Sequence, residues 1–122
     1  MNDKEVETMD NMIERLETIE KRYNELTQVL MDPDIGNDIA RMTEASKEQA
    51  SLQAAYDLYQ EYKHLESEIE ANKELLDESD DEDIIEMAKM EIDELNFRFE
   101  EVTSKLHVEL IPKDPNDNKN VI

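Results

Sequence analysis

The feature that most constrains this chain is a heptad pattern of apolar residues that recurs along most of its length. In the first third, apolar residues are spaced alternately three and four apart, which places them on one face of a helix. Pro33 disfavours the helical conformation for the residue before it, so this first long helix is predicted to stop at Asp32. Its apolar face comprises Met9, Met12, Leu16, Ile19, Tyr23, Leu26 and Leu30, and is widened by Ile13 and Val29.

A turn is predicted over residues 32–38, "DPDIGND", which contain the only glycine of the chain. Aspartate and asparagine are favoured caps at the start of a helix. We therefore expect Asn37 or Asp38 to cap a short helix that ends near Ala45.

A second long helix is predicted to start at Ser46, because Ser46 and Gln49 have the spacing of a capping box. Tyr56 and Tyr59 form a second apolar stripe, so this helix is expected to face two neighbours. Its main heptad positions are Leu58, Tyr62, Leu65, Ile69 and Leu76, with polar Asn72 among them.

A third long helix follows the interruption "LLDESDDED". Ser79 and Glu82 form another capping-box pattern, and the surrounding acids suit the positive end of a helix dipole. Pro112 is expected to end this helix. Its heptad positions are Ile85, Ala88, Ile92, Leu95, Phe99, Val102 and Leu106.

The predicted fold is all-α: an elongated antiparallel bundle of three long helices and one short helix, with an extended C-terminal tail. The two later helices, of roughly 30 residues each, would reach about 45 Å. Residues 1–111 are expected to form the helical domain. Residues 112–122 are expected to form a linker and the first part of a strand in a following domain.

The charge and composition of the chain argue against nucleic-acid binding, membrane insertion and secretion. It has 34 acidic against 13 basic residues, for a net charge of -21, which disfavours direct binding to nucleic acid. It has no cysteine, no apolar run of about 18 residues and no signal-peptide pattern at "MNDKEVETMD". A cytoplasmic location, without membrane contact, is therefore expected.

No catalytic, cofactor-binding or metal-binding residue is predicted, and an enzyme is not expected. The acidic run 77–83 lacks the glycine of a calcium loop, so a solvated helix cap is the preferred interpretation over weak divalent-cation binding. His64 and His107 lack the spacing of a zinc site. The three tyrosines 56, 59 and 62, and the methionines that include Met87 and Met90, are interpreted as core residues.

The segment "LIPKDPNDNKNVI" (110–122) resembles the junction between the N-terminal helical domain and the decoding domain of bacterial class I peptide chain release factors. Three upstream segments agree with that family in the same order. These are "RYNELTQVLMDPDI" (22–35), "SKEQASLQ" (46–53) and "YQEYK" (59–63). The resemblance covers roughly residues 12–122; the first ten or so have no counterpart.

The resemblance implies a domain that contacts the ribosome near the stalk base and cooperates with the class II GTPase release factor. It also implies a parent protein that directs peptide release at UAA and UAG codons. The family's Gly-Gly-Gln and Pro-x-Thr motifs, which carry release and codon reading, do not occur here. The chain is therefore expected to be either an expressed fragment or a truncated gene product. A separate hypothesis, which sequence does not distinguish from this one, is that a truncated release factor acts as a regulator by competing for the stalk base.

An alternative from the residues alone is a free-standing acidic coiled-coil adaptor or holdase-like chaperone. Long heptad patterns also support self-association, so sequence does not separate this alternative from an intramolecular bundle.

Overall fold

The computed structural model describes residues 2–111, with side chains from residue 11 onward. Within this range the chain forms three α-helices: α1 Asn2–Met31, α2 Ile39–Glu78 and α3 Glu82–Glu109. A 3₁₀ helix, Pro33–Asn37, connects α1 to α2. The predicted all-α fold with three long helices is confirmed. The predicted linker and strand at 112–122 lie outside the described residues.

The connection between α1 and α2 is set by two aspartates. α1 ends at Met31. The Asp32 side chain accepts a hydrogen bond from the backbone N–H of Asp34 (2.9 Å) and so caps the 3₁₀ helix that begins at Pro33. Asp38 accepts from the backbone N–H of Arg41 (3.1 Å) and caps α2. Both side chains satisfy N–H groups that the first turn of a helix leaves without intrahelical partners.

The predicted short helix ending near Ala45 is wrong, because α2 runs without interruption through Ser46. Its 40 residues contain neither glycine nor proline, so no backbone signal stops it. Gln49 Nε2 donates to Thr27 Oγ1 on α1 (2.6 Å), so this side chain bridges two helices instead of closing a capping box. A helix of 40 residues is about 60 Å long, which exceeds the predicted length.

The cap of α3 is also displaced from its predicted position. Asp81, not Ser79, accepts from the backbone N–H of Asp83 (2.9 Å) at the start of α3. Ser79 instead terminates α2, and its hydroxyl accepts from the backbone N–H of Asp81 (3.1 Å). Several consecutive residues of this turn are suitable helix caps. Because α3 begins at Glu82, Asp81 is the one that occupies the capping position.

The core forms where α2 packs against both α1 and α3, as its two apolar stripes predict. α1 and α2 are antiparallel. Glu20 of α1 contacts Lys63 of α2, and Arg22, further along α1, contacts Glu48, which comes before Lys63 in α2. Among the described residues, no polar or charged side chain is buried. The buried cluster comprises Met12, Leu16, Ala55, Tyr59, Tyr62, Leu65, Ile69, Leu95, Val102, Leu106 and Leu110.

The methionines of α3 do not have the predicted core position. Met87 and Met90 are each 71% exposed and lie on the outer surface of the helix. Their interpretation as core fillers near Ala88 is wrong. Ala88 is buried, but at 3.6 residues per turn positions 87 and 90 are rotated away from the buried side of α3 on which Ala88 lies. The core assignment of the tyrosines holds, with Tyr59 and Tyr62 buried and Tyr56 half-buried.

Leu95→Asp tests the packing of α3 against α2, because the Leu95 side chain is only 1% exposed. We expect the free energy of unfolding, measured with urea, to fall by about 4 kcal/mol or more, since the change buries an unpaired carboxylate. The matched control is Phe97→Asp, two residues away and 64% exposed, which should change it by about 0.5 kcal/mol or less. Equal effects of the two substitutions would contradict the described register of α3.

Candidate interaction surface

The chain has 34 carboxylate side chains and two histidines, and those that the structure describes are spread over the surface. In the part of the chain that the structure describes, no three His, Asp or Glu side chains are grouped so as to hold a metal ion. The acids of residues 77–83 lie exposed around the α2–α3 turn, where Asp81 acts as a helix cap. His64 lies on the surface of α2 beside Glu68 (3.1 Å). The exposed carboxylates give this surface a negative charge.

A line of polar contacts fixes how α1 lies along α2. Arg22 donates from Nε and Nη2 to the two carboxylate oxygens of Glu48, at 2.5 and 2.7 Å. Tyr23 donates its hydroxyl hydrogen to Gln53 Oε1 (2.9 Å). The Arg22 guanidinium lowers the pKa of Glu48. Because both charged side chains are well exposed, this ion pair fixes register more than it adds stability.

A second charged contact lies further along the same interface. The Glu20 carboxylate accepts from Lys63 Nζ (2.5 Å) and from Gln60 Nε2 (2.6 Å). Lys63 Nζ also lies 4.7 Å from the centre of the Tyr59 ring, in reach of a cation–π attraction. The hydrogen bonds from Lys63 and Gln60 lower the pKa of Glu20, and the bond to Glu20 raises the pKa of Lys63.

Aromatic rings connect all three helices at the middle of the molecule. Tyr23 of α1 stacks on Tyr56 of α2, with ring centres 3.8 Å apart. Tyr62 of α2 meets Phe99 of α3 at 4.7 Å between ring centres. Burial raises the pKa of both the Tyr59 and the Tyr62 hydroxyl. These aromatic contacts link α2 to both of its neighbours.

The outer surface combines acids with exposed apolar side chains at both ends of the bundle. Met31 and Ile39 lie at the α1–α2 end, whereas Leu75, Ile84 and Met87 lie at the α2–α3 end. At the latter end they line a groove of about 300 Å³ between α2 and α3, which we call the tip groove. Its lining residues are Asn72, Leu75, Ile84, Met87, Ala88 and Glu91.

A larger groove of about 660 Å³ lies between α2 and α3 nearer the middle of the bundle. Lys63, Lys73, Glu66 and Glu70 give its walls charges of both signs, and Phe99 provides an apolar surface. Neither groove was identified from sequence, because the exposure of its residues depends on how the helices are rotated against each other. The two grooves and the charged faces are suited to contact with another macromolecule.

None of the helices within residues 2–111 is both long and apolar enough to cross a lipid bilayer.

Comparisons with known proteins place this chain among translation factors. The PCRF domain model matches residues 19–122. The chain is 47% identical, over 91% of its length, to peptide chain release factor 1 of Lysinibacillus sphaericus (strain C3-41), and equally so to that of Geobacillus sp. (strain WCH70). It is 44% identical over 90% of its length to peptide chain release factor 1 of Oceanobacillus iheyensis.

The chain spans about a third of the length of these curated relatives, 31% in each case. No solved structure gives a significant match. The matched region contains α2, α3 and the part of α1 that packs through Tyr23 and Leu26. These matches favour the release-factor hypothesis over the free-standing adaptor.

Glu20→Gln tests the charged contact between α1 and α2. At pH 7 we expect the free energy of unfolding to fall by roughly 0.5–1 kcal/mol, a partly solvated ion pair contributing no more than that. Because the folded-state pKa of Glu20 is lowered, its contribution is complete above the ordinary value of 4.5 and is lost as the pH falls through the folded value.

The difference between wild type and Glu20→Gln should therefore shrink as the pH falls below 4.5, measured by urea unfolding across that range. The control is Glu14→Gln, an exposed glutamate on the same helix, which should show little difference at any pH. A Glu20→Gln effect that persists unchanged in acid would contradict the ion-pair account.

Proposed function

The chain belongs to the PCRF-domain family of peptide chain release factors, and on that premise we propose that it is the helical arm of a factor that ends protein synthesis at UAA and UAG codons. The match over residues 19–122, together with relatives named peptide chain release factor 1, carries this proposal. The arm works on the ribosome in the cytoplasm. Its long, narrow bundle suits a part that reaches from the body of the factor to a distant contact.

The arm has no catalytic role in this proposal. The chain contains one glycine, Gly36, so it cannot hold the Gly-Gly-Gln motif that the family resemblance assigns to peptide release. It also lacks a Pro-x-Thr motif for codon reading. Both activities belong to other parts of a complete factor, and the chain alone does not hydrolyse peptidyl-tRNA.

The partners are basic ribosomal proteins at the stalk base of the large subunit, together with the class II GTPase release factor. A net charge of -21 repels ribosomal RNA and attracts basic protein surfaces. Such attraction acts over about 8 Å at physiological salt, so it orients the arm close to contact. The acidic surface thus steers the arm away from the RNA that surrounds its protein partners.

Charge reversal tests this electrostatic account. The triple variant Glu44→Lys, Glu74→Lys and Glu100→Lys changes three exposed acids, one or more on each of α2 and α3. We expect its binding to purified bacterial 70S ribosomes to be weaker than wild type by about tenfold at low salt and by much less at high salt. The measurement is equilibrium binding of fluorescently labelled chain at both salt concentrations.

The matched control replaces the same three glutamates with aspartate, which keeps the charge and should bind as wild type does. An equal loss at low and high salt would contradict electrostatic steering. Absence of ribosome binding by the wild-type chain would overturn the proposed function. Stop-codon-dependent peptide release by this chain alone would overturn its non-catalytic role.

A further inference from the structure

We propose that the tip groove binds a basic amphipathic segment of a protein partner. This inference rests on the proposed function and makes it more specific. It names the surface of the chain that makes the contact and the chemistry of the partner that binds there. The tip groove lies at the end of the α2–α3 hairpin, beside the three-residue turn that joins the two helices.

Four of the six residues that line the tip groove are apolar. Leu75 and Ile84 are 46% and 41% exposed, and Met87 is 71% exposed, so a large part of each side chain faces solvent. Ala88, between them, is buried and small, which leaves the depression of about 300 Å³ open. Exposed apolar side chains gathered around a depression mark contact sites, and methionine adapts its shape to different partners.

Acids surround this apolar groove on the side of the turn. Residues 77–83 contribute six carboxylates, and no basic residue occurs between Lys73 and Lys89. Glu91 lies within the groove wall itself. The arrangement therefore combines an apolar centre with an anionic edge, and its complement is a segment with apolar residues on one side and Lys or Arg beside them.

The same charges disfavour other occupants. A second copy of the chain would bring two sets of these carboxylates together, and each copy carries a net charge of -21. Nucleic acid and anionic lipid surfaces both present negative groups, which the turn repels. A basic protein segment is the occupant that satisfies both the apolar groove and its acidic edge.

The direct test measures binding of two synthetic 18-residue helices to the wild-type chain by fluorescence anisotropy. One peptide carries a leucine face and lysines; the other has the same lysines with serine in place of leucine. The leucine peptide should bind at least about tenfold more tightly, because only it fills the apolar groove. Equal affinities would overturn the proposal, since charge alone would then account for binding.

The matched variants localise the contact. Ile84→Ser with Met87→Ser removes an isoleucine and a methionine from the tip groove. Met31→Ser with Ile39→Ser removes the same two residue types, also exposed (70% and 68%), at the opposite end. The tip variant should lose about tenfold in affinity for the leucine peptide, and the control should stay within about twofold. Circular dichroism and thermal unfolding establish that both remain folded. Equal losses in the two variants would overturn the assignment to the tip groove.

Ribosome binding by the same variants separates this inference from the proposed function. If the wild-type chain binds 70S ribosomes and the tip variant binds equally well, the groove proposal fails and the proposed function stands. If the wild type binds the leucine peptide but not ribosomes, the proposed function fails. Tighter binding of the wild type to a ribosomal RNA fragment than to the leucine peptide would overturn the basic-segment proposal.

Discussion

The whole structure depends on one helix that offers two apolar faces. α2 runs for 40 residues and packs against both α1 and α3, so neither neighbour would have a core surface without it. Leu16 of α1 and Leu95 of α3 are both almost completely buried, and both belong to the cluster that Tyr62 and Leu65 of α2 complete. A thin bundle has few such residues in each layer, so each contributes a large share of the stability.

Charge is kept entirely outside this core. No polar or charged side chain among the described residues is buried, although the chain carries 34 acids. The few basic residues at the α1–α2 interface are used to set register: Arg22 meets Glu48, and Lys63 meets Glu20. The chain has 34 acidic and 13 basic residues, so most of its other charged side chains carry negative charge.

Heptad spacing was sufficient to predict the three long helices and most of the core, although not the start of α2, because apolar periodicity is a property of the chain itself. Pro33 correctly marked the end of α1. The helix start predicted at Ser46 was wrong because a capping-box pattern also occurs inside helices. Only the structure shows that Gln49 donates a hydrogen bond to Thr27 of α1 instead of capping a new helix. The exposure of Met87 depends on the rotation of α3 against α2, which spacing alone did not resolve, so the tip groove could not be predicted.

The aromatic cluster gives this protein a built-in optical label. The chain has four tyrosines and no tryptophan; one tyrosine lies in α1 and three lie in α2, where Tyr62 packs against Phe99 of α3. The only one contributed by α1, Tyr23, is stacked on Tyr56 at 3.8 Å between ring centres. Near-ultraviolet circular dichroism and intrinsic fluorescence of the unlabelled chain thus report on the packing of α2 against its two neighbours, separately from the helix content that far-ultraviolet spectra measure.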